Sequence, residues 1–104
     1  AVAGGIRVLL EQRGVTADDI ASVELAGGFG NYLSPESAVR IGMLPRACLS
    51  KIRPLGNAAL AGASMLALDG ENWRKLAEIP EKCRYLELSG CNDFSRAFTD
   101  SLTF

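Results

Sequence analysis

Gly27, Gly28 and Gly30 follow the apolar run Val23–Ala26, and Asn31 comes directly after them, in the stretch VELAGGFGN. Glycines crowded at the end of a buried strand present main-chain N–H groups with no Cβ in front of them and tolerate positive φ. At the carboxyl edge of an α/β sheet such a turn can hold a ribose or a phosphate, helped by the helix that follows. A second apolar run, Lys51–Leu55, reaches Gly56 and Asn57 in the same way, so two adjacent strands could offer both loops to one ligand. Neither loop fits G-x-x-x-x-G-K-[ST] or G-x-G-x-x-G. Spacing alone therefore leaves two readings open: the floor of a nucleotide cleft, or a tight turn over a packed helix. Phe29 and Tyr32 divide between stacking on a base and plugging the edge of the core, and Phe29 reads as a plug.

The other chemistry-bearing residues form no set. Histidine is absent, which removes the commonest general base and metal ligand. Ser34 has no base to activate it and reads as a helix cap. Asp18, Asp19 and Asp69 read as capping and turn residues, since a metal site needs several converging oxygens. Arg7, Arg40, Arg46 and Arg53 are scattered and read as solvated or structural charge. Cys48, Cys83 and Cys91 are odd in number and contain no C-x-x-C pair, so free thiols in a reducing cytoplasm are expected rather than a disulfide scaffold, zinc site or cluster. No catalytic residue and no metal ligand is expected.

These loops need elements to place them. Ile6, Leu9, Leu10 and Val2 share one helical face in the opening segment, with Gly14 as its stop. Thr16 can cap a short acidic turn before the first strand. Ser34 and Pro35 open a helix that turns Ala38, Ile41 and Met43 or Leu44 inward and ends at Pro45. After Gly56 and Asn57, the run AALAGASMLAL is a helix whose small residues predict a backbone pressed against a neighbour in a crowded interior. A polar helix follows, interrupted at Pro80. CRYLELSG alternates as a third strand, and Phe94, Ala97, Phe98 and Leu102 line a last helix.

Alternating strands and helices predict an α/β layered fold. With 48% hydrophobic and 22% charged residues the 104-residue chain should fold, as one domain or as part of a larger one. A net charge of −1 gives no field for nucleic acid or anionic lipid, so neither is an expected partner. The apolar stretch Ala58–Leu68 is too short to span a bilayer, and no secretory signal is read, so the expected location is cytoplasmic.

Taken together, VELAGGFGNYLSPESAVRIGMLP, IRPLGNAALAGASMLAL and YLELSG with DFSRAF resemble the C-terminal domain of the ATP-dependent reductive activators of corrinoid proteins. These are ferredoxin-like proteins whose last part belongs to the superfamily of actin, sugar kinases and heat-shock chaperones. The resemblance covers nearly the whole chain. It implies a ribonuclease-H-like α/β subdomain with a small mixed sheet flanked by helices, one of two lobes that close on ATP. Gly27 and Gly28 match the paired glycines of the superfamily's adenosine motif, with Phe29, Gly30 and Asn31 completing the loop and Gly56 and Asn57 as further contacts.

What such a protein has and this chain lacks is equally informative. The resemblance places the iron–sulfur cluster in an N-terminal part, and the magnesium and outer-phosphate sites in the other lobe. Residues 1–104 therefore read as a C-terminal fragment, without hydrolysis or electron transfer of its own. The implied partners are a corrinoid protein or methyltransferase and the rest of the parent chain, with a homodimer as a further possibility. The parent would use ATP to make reduction of Co(II) corrinoid to Co(I) possible. Two alternatives stay open: a dimerisation or partner-docking domain that has lost nucleotide binding, and a fragment of a small-molecule kinase.

Overall fold

The computed structural model describes residues 1–103; nothing is described for Phe104 or for the Phe29 side chain. Helix α1 runs Val2–Arg13 and stops at Gly14, whose φ of 66° lets the Gly14 and Val15 N–H groups return to the Glu11 and Leu10 carbonyls. A one-turn 3-10 helix, Ala17–Asp19, is closed by a capping box between Thr16 and Asp19. Strand β1 (Val23–Ala26) leads into the short helix α2 (Gly28–Tyr32), and α3 (Pro35–Arg40) follows, with the Ser34 hydroxyl accepting from the Ser37 N–H. The chain leaves α3 at Gly42 rather than Pro45. Gly42, at φ 74°, donates to Val39, and Met43 donates to Ala38, which satisfies the end of α3 before the proline is reached.

A second 3-10 helix, Arg46–Lys51, delivers strand β2 (Ile52–Gly56), and helices α4 (Ala58–Leu68), α5 (Glu71–Lys82) and α6 (Asn92–Asp100) complete the chain. Pro80 does not interrupt α5, because its missing N–H falls in the last turn, where little helix remains to be broken.

The α/β class is as expected, and the sheet takes a narrower form than the mixed one the sequence suggested. β1 and β2 pair in parallel, Val23 opposite Ile52 and Glu24 opposite Arg53. Tyr85–Leu88 does not become a third strand. Alternation decides which way side chains face, but a ladder also needs a partner, and none within the described residues lies alongside.

The core is small and lies where α1 crosses α6 and where the two 3-10 helices meet α3. Val8 (1% exposed), Ala38, Leu44, Cys48 and Ala97 are its buried apolar side chains among the described residues. The face of α1 that packs is Gly4 and Val8, not the Leu9 face the spacing favoured. A Cβ on Gly4 would sit 3.1 Å from the Phe98 backbone nitrogen, so α6 lies directly on the α1 main chain. α4 is a second correction. It was expected inside a crowded interior, yet none of its residues is buried and a Cβ on Gly62 would meet nothing within 4 Å.

Candidate nucleotide-binding edge

The parallel pairing of β1 with β2 brings the two glycine loops side by side. Gly27 at φ 81° turns the chain out of β1, and Gly56 at φ 68° turns it out of β2; both angles favour glycine because a Cβ would crowd the backbone there. The Gly27 N–H donates to the Gly56 carbonyl at 2.8 Å. This bond ties the ends of the two strands together just past a register shift between Leu25 and Ala26. Across the same pair, Arg53 forms an ion pair with Glu24, its direct cross-strand neighbour.

The glycines then separate by physical role. Gly30 is buried, and a Cβ on it would lie 2.4 Å from the Leu25 carbonyl oxygen; packing inside this chain requires that glycine. Gly27 and Gly56 are required by their backbone angles. Gly28 has neither reason: its φ is not positive, and a Cβ there would meet nothing within 4 Å. It stands exposed at the start of α2, so its main chain is open from outside.

The asparagines frame this opening. The Asn57 side chain accepts from the Leu60 N–H at 2.9 Å and caps α4. The Asn31 Oδ1 lies 3.6 Å from the position a Gly56 Cβ would take, reaching from the first loop across to the second. Tyr32 is 89% exposed and plugs nothing; the plug expected of Phe29 lies outside the described residues. No Lys, Arg, Asp or Glu occurs in residues 25–33 or 54–64. The edge therefore offers main-chain and amide groups, suited to the neutral part of a ligand rather than to a cluster of phosphate charges.

Elsewhere, Cys48 is buried with its thiol 3.9 Å from the Ala17 carbonyl, Cys83 is exposed and Cys91 half-buried. Among the described residues no three His, Cys, Asp or Glu side chains are grouped as a metal would need. No helix among them is long and apolar enough to cross a membrane. Two concavities, of about 270 and 370 Å³, lie away from the glycine edge. The larger gathers Arg13, Lys82 and Arg84, a grouping that spacing along the chain did not reveal because α1 and the end of α5 are remote in sequence.

The family described as the C-terminal domain of RACo, the ASKHA domain, matches residues 1–104. The chain belongs to this family. A protein of Eubacterium limosum named corrinoid activation enzyme RamQ is 33% identical over 89 residues, which are 86% of this chain and 15% of that protein. A solved structure named reductive activator for corrinoid, iron-sulfur protein superposes with a TM-score of 0.85 at 35% identity, over 95% of this chain and 16% of that one. This RACo-type ASKHA domain thus spans a small part of the length of either relative. The resemblance carried by VELAGGFGNYL and GNAALAGA is confirmed at the level of family and fold.

Proposed function

We propose that this domain is the nucleotide-facing lobe of a longer, cytoplasmic, ATP-dependent reductive activator that supports reduction of Co(II) corrinoid to Co(I). The observation carrying this reading is Gly28: a glycine that nothing inside the chain requires, at the joined carboxyl ends of two parallel strands. A ligand lying on the main chain supplies the missing reason. The loops fit the nucleoside end of ATP. Gly27 and Gly28 would lie under the ribose and α-phosphate, with Phe29, Gly30 and Asn31 forming the rest of that loop and Gly56 and Asn57 flanking it. The outer phosphates and Mg²⁺ call for charged groups that residues 25–33 and 54–64 do not contain, and we assign those to the other lobe.

ATP bound between the lobes would supply the conformational work of docking and domain movement. The electron would pass from an iron–sulfur cluster outside residues 1–104 to cobalt, and this domain would carry neither. The test is an assay of the full-length parent with its corrinoid protein and a chemical reductant. ATP turnover should rise on adding the corrinoid protein, and Co(I) absorption should appear only with ATP. A parent that binds no nucleotide removes the proposal. The runner-up, a domain kept for docking or dimerisation, is favoured by the exposed apolar side chains of α4 and α5 and predicts those same null results.

A further inference from the structure

The concavity of about 370 Å³ lies between α1 and the extended segment after α5. Its apolar lining is Leu9, 51% exposed on α1, together with Leu86; Gln12, Arg13, Lys82, Arg84 and Tyr85 complete it. Among the described residues, none of these three cations is in an ion pair, although the chain as a whole carries a net charge of −1. Arg13 and Lys82 each stand in the last turn of a helix, where a cation is favoured in any case. Arg84 has no such reason. Glu87, three residues further along, accepts from the Tyr85 hydroxyl and from Ser89.

The segment itself adds a second, independent observation. Among the described residues, the main-chain N–H groups of Arg84, Tyr85, Leu86, Glu87 and Leu88 find no partner within the chain. Leu86 and Leu88 are half-buried while Tyr85 and Glu87 are exposed, and Leu88 packs over Gly5. One side chain row is thus anchored and the backbone edge is free, as in a strand awaiting a neighbour.

We infer that this groove receives an extended, carboxylate-bearing segment of the corrinoid protein, which adds as a strand along residues 84–88 and sets its acidic side chains against Arg13, Lys82 and Arg84. The inference rests on the functional reading above, which supplies the corrinoid protein as the partner. A groove rimmed with exposed cations suits a contact that forms and breaks, with affinity and rate governed by charge. Obligate interfaces are more apolar, a description that fits the exposed apolar side chains of α4 and α5 instead.

The experiment measures binding of the corrinoid protein to the full-length parent, comparing wild type with Arg13→Glu/Arg84→Glu. At low salt the double variant is expected to bind about tenfold more weakly, with the difference shrinking as salt is raised. Unchanged nucleotide affinity serves as the check that the variant is folded. In wild type, hydrogen exchange at residues 84–88 is expected to be fast in the free parent and slowed by the corrinoid protein. Equal binding by the folded double variant overturns the inference, as does exchange already slow in the free parent, which would place a strand of its own chain in the groove. A wild-type parent that turns over ATP yet binds no corrinoid protein at all removes the partner, and with it both this inference and the activator reading, whereas the first two outcomes leave that reading intact.

Discussion

At the scale of single residues, the glycines of the edge make opposite demands on substitution. Gly28→Val meets open space and an ordinary φ, so its stability is expected to stay within about 0.5 kcal/mol of wild type. Its branched side chain would occupy the space above the main chain, and ATP affinity of the parent is expected to fall at least about tenfold, measured by calorimetry. Unchanged affinity in the folded variant would favour the docking reading. Gly30→Ala is the control: its Cβ lies 2.4 Å from a backbone oxygen, and crowding of that kind costs roughly 1–3 kcal/mol in a denaturant titration. The sequence displayed all of these glycines equally and could not sort them, because the sorting depends on what lies above each one.

Another residue-scale expectation concerns Glu87. Hydrogen bonds from the Ser89 hydroxyl, the Tyr85 hydroxyl and the Ser89 N–H hold its carboxyl at about 2, below the ordinary 4.5. A depressed carboxylate contributes stability that is fully present above its unfolded value of 4.5 and is lost as pH falls through about 2. Carboxyl NMR should show that midpoint in wild type and a clear rise toward the ordinary value in Ser89→Ala. An unmoved midpoint would mean that the Ser89 bonds do not order this turn.

At the scale of elements, the contact between α1 and α6 turns on Gly4, and its neighbour Gly5 provides the comparison. A Cβ on Gly4 would press on the backbone of Phe98 at 3.1 Å and 3.2 Å, whereas a Cβ on Gly5 meets the flexible Leu88 side chain at 3.6 Å. Gly5→Ala is therefore expected to stabilise the chain by about 0.5–1 kcal/mol through helix propensity. Gly4→Ala should lose that gain and more, falling below Gly5→Ala by roughly 1–3 kcal/mol in urea unfolding. If the two variants were alike, the close crossing of α1 and α6 would be disproved. Those helices were legible as elements because local signals bound them: Gly14 stops α1, Ser34 and Pro35 start α3, and Asn57 caps α4. The contacts between elements were not. Periodicity marked Leu9 on α1, yet α6 approaches over Gly4 and Val8, and alternation at Tyr85–Leu88 could not supply a partner strand.

At the scale of the whole molecule, the radius of gyration is 16.0 Å and the extents are 47 × 30 × 23 Å, while a compact chain of this length has a radius of about 13 Å. Two of the helices carry exposed apolar side chains. Leu60, Met65 and Leu68 project from α4, and Trp73, Leu76 and Ile79 recur along one stripe of α5; the Asn72 amide donates to the Met65 carbonyl at 2.8 Å and joins the two helices. Small residues on α4 are the mark of a backbone pressed against a neighbour in a crowded interior. If the rest of a longer protein completes such an interior, the neighbour those residues call for lies outside residues 1–104. Trp73, 59% exposed and the sole tryptophan in the sequence, separates the cases. Trp73→Ala in the 104-residue chain is expected to change unfolding free energy by no more than about 0.5 kcal/mol. In the full-length parent the same substitution should cost roughly 3–5 kcal/mol, the loss that follows removal of a packed aromatic side chain. Equal, small effects in both would leave α4 and α5 facing water in the parent, and the apolar stripe would then have to be covered by another molecule.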